Sequence, residues 1–233
     1  MAVTVTPEPF SFGKEQLERG WLLEPEAKEL CRSYGLPVGE WKVAKTEEEA
    51  VAAAGSLGYP VVMKIVSPDV LHKSDVGGVL LNIAGGEAAA DAFGKIKAVA
   101  NKSGYRLEGV LVEKMAPPGT ETIIGGKLDP QFGPVLLFGL GGVFVEVFKD
   151  VSFRVAPITK EDALEMMSEL KAYPLLKGVR GREPADTEAL VDALLKVSNM
   201  MLQEKIIAEL DLNPTIAYPK GCRVVDARVI LRR

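Results

Sequence analysis

Cysteine is scarce in this chain of 233 residues: Cys31 and Cys222 are the only two, and they lie far apart. That excludes a disulfide framework and a cysteine-based metal cluster. An excess of one charge is also missing, with a formal net charge of -4, so no broad attraction to nucleic acid or an anionic membrane is implied. Local basic sites remain open. Long apolar runs are absent. The longest uncharged stretch, Pro130 to Val145, is rich in glycine and falls short of the ~20 apolar residues a membrane helix needs. The N-terminus lacks the basic-then-apolar pattern of a secretory signal, which makes the cytoplasm the expected location. Internal repeats and low-complexity segments are lacking too. Histidine is scarcest of all, with His72 alone.

What is present is ordinary for a soluble globular protein: 47% hydrophobic and 26% charged residues. The length suits one large domain or two small ones, with room for a sizeable core. After a loose arm bearing Pro7 and Pro9, Glu24 to Tyr34 reads as a helix with Ala27, Leu30, Cys31 and Tyr34 on one face. Thr46 and Glu49 form a capping box for a second helix ending near Gly58. Val61 to Val66 and Val79 to Ile83 read as strands, Glu87 to Lys102 as a helix, and Gly109 to Met115 as a strand. Strands are then expected at Glu121 to Lys127, Pro134 to Phe138, Val143 to Phe148 and Phe153 to Ala156. A helix capped by Thr159 and Asp162 and a long helix from Asp186 to Gln203 follow. Ile206 to Leu212, Thr215 to Tyr218 and Arg223 to Leu231 close the chain as strands. Hairpin-linked strands interleaved with helices predict an α+β protein of two lobes, with mixed or antiparallel sheets and a ligand in the cleft. The expected divisions are an arm over 1–22, one lobe over 23–115 and another over 116–233.

His72 lies on a polar loop between two apolar strands, followed directly by Lys73 and soon by Gly77 and Gly78. An imidazole there is either surface decoration or a nucleophile suited to moving a group near neutral pH. Lys64 sits inside the apolar strand before it. Its ammonium must reach water at a sheet edge or find a buried anion, and the flanking Val62, Met63, Ile65 and Val66 favour burial. A nucleotide phosphate would serve as that anion. Ser67, Lys73 and Ser74 add donors, and the glycine pair lets backbone approach a phosphate closely. No Walker loop exists here. Gly139, Gly141 and Gly142 fail the Gly-x-Gly-x-x-Gly pattern because Phe144 stands at its last position. They make either a tight turn or another phosphate surface. Asp211 and Asn213 alternate along one strand, and Asp226 follows the last hairpin turn. They read equally as Mg²⁺ ligands beside nucleotide phosphates or as a hydrated strand end with an Asn-Pro turn.

Taken in order, these stretches resemble the ATP-grasp fold. The resemblance is closer to the nucleotide-binding β subunit of ADP-forming acyl-CoA synthetases (acetate–CoA ligase, ADP-forming), relatives of succinyl-CoA synthetase. It runs from about Leu23 to Leu231 and rests on Glu24 to Leu30, Lys64 to Gly78 and Val112 to Gly119. It continues through Asp129 to Pro134, Gly139 to Gly142, Asp150 to Arg154, Asp211 to Pro214 and Asp226 to Arg228.

The resemblance implies the reaction acyl-CoA + ADP + phosphate ⇌ carboxylic acid + CoA + ATP. A partner α subunit would pass a phosphoryl group from its own histidine to His72, which would carry it to ADP on a loop that swings. Lys64 falls on the position of a phosphate-binding lysine, with Lys73, Ser74, Gly77 and Gly78 alongside. Glu113, Lys114 and Met115 match a hinge whose backbone reads adenine, and Glu121 a ribose contact. Asn213 and Asp226 match Mg²⁺ ligands, Asp211 a carboxylate near the incoming phosphohistidine, and Arg154 a phosphate contact. With no second histidine and no CoA-binding motif, the chain is expected to work only with the α subunit, in an α2β2 heterotetramer. Rival readings are the β subunit of a succinyl-CoA ligase, an ATP-binding regulatory module without turnover, and a structural subunit. His72 speaks against the first, the set Lys64, His72, Asn213 and Asp226 against the second, and the buried Lys64 against the third.

Overall fold

In the computed structural model, which describes residues 9–142, 149–179 and 183–232, the chain divides into two compact units. Residues 23–25 and 39–117 form the smaller one; residues up to 22, 26–38 and 118 onward form the larger.

The smaller unit is a sheet with helices on one face. Its strands are β2 (Trp41–Ala44), β3 (Val61–Val66), β4 (Val79–Ile83) and β5 (Gly109–Lys114), in the order β2-β5-β3-β4 with every neighbour antiparallel. Its helices are α3 (Glu47–Leu57) and α4 (Gly86–Ser103). Thr46 caps α3 by accepting the Glu49 N–H at 3.2 Å, and three glutamates in the first turn suit the positive end of the helix. Period-2 alternation then sorts β3. Val61, Met63 and Ile65 join Ala50, Phe93 and Ile96 in the core under the helices. Val62, Lys64 and Val66 face the other way. Each large side chain buried here contributes about 1.5–3 kcal/mol.

The larger unit is built on a sheet of seven strands among the described residues: β1 (Trp21–Leu22), β6 (Thr120–Asp129), β7 (Gly133–Leu140), β8 (Val151–Val155), β9 (Ile207–Ala217), β10 (Cys222–Val224) and β11 (Arg228–Leu231). The order is β1-β11-β9-β6-β7-β8, with β10 also on β9. Its helices are α1 (Lys14–Arg19), α2 (Glu24–Ser33), α5 (Lys160–Ser168) and α6 (Thr187–Gln203). Ala27, Leu30 and Cys31 of α2, and Tyr34 just beyond it, join Leu190, Leu194 and Val197 of α6 in this core. The apolar face expected of that helix is therefore real, but it serves the larger unit, whereas residues 23–115 had been expected to form one lobe. A helical stripe shows that a face is buried and not which sheet buries it.

Several elements differ from expectation. Short α1, β1 and β2 carry too few periodic residues to be seen in sequence. The strand expected at 143–148 lies outside the described residues. The two strands expected around Asn213-Pro214 are one, β9, and the single strand expected over Arg223 to Leu231 is split into β10 and β11. The turn reading of Asn213-Pro214 is thus overturned. Proline lacks an N–H to give a ladder, but residues 225–227 opposite it are not in a strand, and the Pro214 carbonyl still accepts the Val225 N–H at 3.0 Å. On the other side, the register shift between Thr122 and Ile124 leaves residues 213 and 214 as the bulged pair. Among the described residues no helix is long and apolar enough to cross a membrane.

Candidate functional site

The smaller unit holds a buried cluster of four charges. Lys64 is 4% exposed on the face of β3 turned away from the helices. Its Nζ lies 2.5 Å from Glu24 Oε1 and 3.6 Å from Glu113 Oε2. The register explains the second contact: Glu113 stands opposite Val62 on β5, one same-face position from Lys64. The first is a long-range contact, made because residues 23–25 pack with this unit. Glu24 Oε2 also takes Lys73 Nζ at 3.0 Å. Two ammoniums and two carboxylates therefore balance in a site where an unmatched charge would be costly. Lys64 was expected to need a buried anion, and in the structure carboxylates fill that role. Glu24 is the member that sequence reasoning missed. Its one signal was a carboxylate closing the apolar run Trp21-Leu22-Leu23 just before Pro25.

The His72 loop, residues 67–78, is tied down on both sides of the imidazole. Asp69 accepts the Arg106 N–H at 2.6 Å, and Val70 is buried at the edge of the core. Beyond His72, Lys73 is held by Glu24, and its carbonyl accepts the Gly78 N–H at 2.8 Å. A Cβ at Gly78 would collide with the Ile65 side chain and sit 3.0 Å from that carbonyl, so only glycine closes the loop this tightly. Gly77 supplies a φ of +71°. His72 and Ser74 are left exposed. The structure thus gathers Lys64, Lys73 and Glu113 in one cluster, with His72 one residue from it. Of the hinge candidates, Glu113 is buried and spent on Lys64, Lys114 is exposed, and the Met115 N–H donates to the Pro60 carbonyl at 3.0 Å.

In the larger unit, the pairs Thr215–Val224 and Asp211–Arg228 keep one register on either side of a gap. Carried across residues 225–227, which are not in a strand, that register puts Asp226 at the level of Asn213. An amide and a carboxylate are donor types that suit Mg²⁺, which takes one or two protein oxygen ligands and fills its octahedron with phosphates and water. Among the described residues no three His, Cys, Asp or Glu side chains gather as a protein-only cage. Asp211 and Asn213 line one side of a cavity of about 530 Å³ floored by Gly125, Leu137 and Phe153. Asp211 lies 3.5 Å from Arg228, which also holds Glu209 at 2.8 Å.

Arg154 stands apart from these residues. It pairs in register with Leu136, then Gly126, then Leu210, a row whose leucines are buried under the helices. Asp211 belongs to the next row, with Gly125, Leu137 and Phe153, on the opposite face. Arg154 instead clamps Glu169 with both guanidinium nitrogens, at 3.0 and 2.5 Å. That contact holds the Glu169 carboxyl below its ordinary range and raises the guanidinium. Glu121 is exposed at the start of β6, where its carbonyl accepts the Gly141 N–H at 2.8 Å. A Cβ on Gly141 would lie 2.9 Å from that of Glu121, so strand approach accounts for this glycine.

Comparison with known proteins adds a second line of argument. Residues 14–231 match the ATP-grasp domain family. The chain is 54% identical over 222 residues to the β subunit of ADP-forming acetate–CoA ligase I of Pyrococcus furiosus, covering 94% of this chain and 95% of that one. It superposes with a TM-score of 0.91 and 54% identity on a Ca. Korarchaeum cryptofilum acetyl-coenzyme A synthetase 1 solved with coenzyme A and Ca-AMPCP, covering 94% and 97% of the two chains. Another structure of that protein, with Mg-AMPPCP and its phosphohistidine segment pointing towards the nucleotide binding site, matches at TM-score 0.82 and 52% identity over 94% and 96%.

Proposed function

The chain belongs to the ATP-grasp family, among the β subunits of ADP-forming acetate–CoA ligases, and on that premise we propose that it moves a phosphoryl group through His72 between a partner α subunit and ADP. The overall reaction is acyl-CoA + ADP + phosphate ⇌ carboxylic acid + CoA + ATP. The observation that carries this reading is the placement of the sole histidine, exposed on a loop one residue from a lysine tied through Glu24 to Lys64.

The chemistry follows from that placement. A ring nitrogen of His72 forms a P–N bond as the P–N bond to the α-subunit histidine breaks, and the new P–N bond breaks in turn as a β-phosphate oxygen of ADP bonds to phosphorus and gives ATP; labelling by ATP is this second step in reverse. Splitting one transfer into two lowers each barrier. Such transfer depends mainly on positioning and charge neutralisation. Lys64 and Lys73 supply positive charge and the Ser74 hydroxyl a donor, while Gly77 and Gly78, whose N–H groups go to the Ser74 and Lys73 carbonyls, let the backbone pass close to the phosphate. Asn213 and Asp226 would hold Mg²⁺, which supplies further neutralisation of phosphate charge when bound. The backbone of Glu113 to Met115, apart from the Met115 N–H that the Pro60 carbonyl takes, reads the base, Glu121 the ribose, and Asp211 steadies the incoming phosphohistidine. Arg154, held by Glu169 on the helix-covered face, is the weakest of the proposed phosphate contacts. The acid and CoA are handled by the α subunit, in an α2β2 assembly. The identity to an acetate–CoA ligase β subunit over nearly the whole chain favours this reading over a succinyl-CoA ligase or a regulatory module.

The test is direct. Incubation of the chain and its α partner with labelled ATP and Mg²⁺ yields acid-labile, base-stable label on His72. Wild-type protein that takes up no label overturns the relay. In the same assay Asp226→Asn raises the Mg²⁺ concentration for half-maximal labelling by about tenfold, since a carboxylate ligand becomes a neutral amide. An unchanged requirement removes Asp226 from the ligand set.

A further inference from the structure

We propose that Glu24 is a positioning residue for phosphoryl transfer: its carboxylate latches the His72 loop to Lys64. The proposal rests on the reading of His72 as a phosphoryl carrier. One oxygen of Glu24 accepts a hydrogen bond from Lys64, fixed in the middle of β3, at 2.5 Å, and the other is ion-paired with Lys73, on the loop, at 3.0 Å. The Glu24 and Lys64 side chains are 3% and 5% exposed, and that of Lys73 is 13% exposed. A carboxylate shared in this way sets the two ammoniums at a defined separation and cancels a repulsion that would otherwise drive the loop away. Lys73 is bonded through the chain to His72, so the latch fixes where the imidazole begins and ends its travel. The Lys73 carbonyl, closed over by Gly78, transmits that position to the rest of the loop.

A phosphate arriving near the cluster competes with Glu24 for both lysines. Once either ammonium turns to the phosphate, its hold on Glu24 weakens. The contact is therefore strongest when no phosphate is present and loosest when one has arrived. Glu24 thereby couples occupancy of the phosphate position to release of the loop, without itself touching the reacting atoms.

The experiment compares wild type, Glu24→Gln and Glu24→Asp, each assembled with the α subunit. Trypsin cleavage after Lys73 reports the latch, because the protease must extract that side chain. We expect Glu24→Gln to be cut about tenfold faster at this bond, while the remaining sites keep their rates. His72 labelling from ATP slows by at least about tenfold at saturation, with KM for ATP unchanged or lowered, because a carboxylate that competes with phosphate is gone. Glu24→Asp, which keeps the charge on a shorter arm, recovers part of both. Wild-type cleavage at Lys73 in Glu24→Gln overturns the latch. So does a variant whose labelling falls only in proportion to a general loss of folded protein, with all tryptic sites opened alike. If wild type takes up no label, the relay reading fails, and the protease arm still decides whether Glu24 holds the loop.

Discussion

His72→Ala stops labelling of the chain by ATP and lowers ATP formation by at least about 10⁴-fold, while nucleotide affinity changes less than about twofold. The size follows from the chemistry. Removal of a nucleophile that forms a covalent intermediate deletes the route rather than weakening one contact, and the chain has no second histidine to substitute. The small effect on binding follows from the geometry. His72 is exposed and is not part of the charged cluster, so its loss leaves Lys64, Lys73, Glu24 and Glu113 paired as before. The loop stays anchored by Asp69, Val70 and Gly78. Melting temperature in the absence of nucleotide, measured beside a nucleotide titration, checks both statements. Full turnover in the variant would reduce His72 to a loop residue.

Lys64→Met destabilises the smaller unit by about 3–5 kcal/mol and also removes the proposed phosphate contact. Methionine matches the lysine stem in length and fits an apolar strand, so the cost is electrostatic rather than steric. Glu24 and Glu113 stay buried and each loses its contact with the Lys64 ammonium. A carboxylate that loses its partner in a dry site must ionise at a cost, bind a proton or draw in water. Adding Glu113→Gln to Lys64→Met is expected to recover part of the loss, roughly 1–3 kcal/mol, by removing a buried charge that has lost its Lys64 contact. Urea unfolding of Lys64→Met, Glu113→Gln and the double variant, each carrying Trp21→Phe so that Trp41 on β2 is the sole tryptophan, reads the smaller unit by fluorescence. Additive effects of the two substitutions would show that Lys64 and Glu113 do not interact and would dissolve the cluster as a unit.

These predictions draw on parts of the molecule that were unequally visible beforehand. The extents of β3 and β4 were readable to the residue, because continuous apolar runs bounded by turn residues leave little choice. The loop between them was readable for the same reason. Helices α3 and α5 were announced by Thr46 and Thr159, whose side chains accept the N–H groups of Glu49 and Asp162. At Asn213-Pro214 the local rule misled. Proline marks a break when its missing donor is needed, and here the neighbouring chain makes no such demand. Arg154 misled differently. Its place in a stretch shared with relatives said nothing about which face of β8 it would occupy.

The sequence by itself determined the α+β class, the family, the strand bearing Lys64, the loop bearing His72 and the lack of any second histidine. All of these are properties of composition, local periodicity or a motif read in order. Only the tertiary structure decided that Glu24 joins Lys64 and Lys73, that α2 from residue 26 onward serves the larger unit, and that Arg154 lies on the row of Leu136 and Leu210. Glu24 and Lys64 are forty residues apart, and no periodicity links positions at that distance. Their meeting is set by where two chain segments pack, and the cost of burying one charge without the other holds them there.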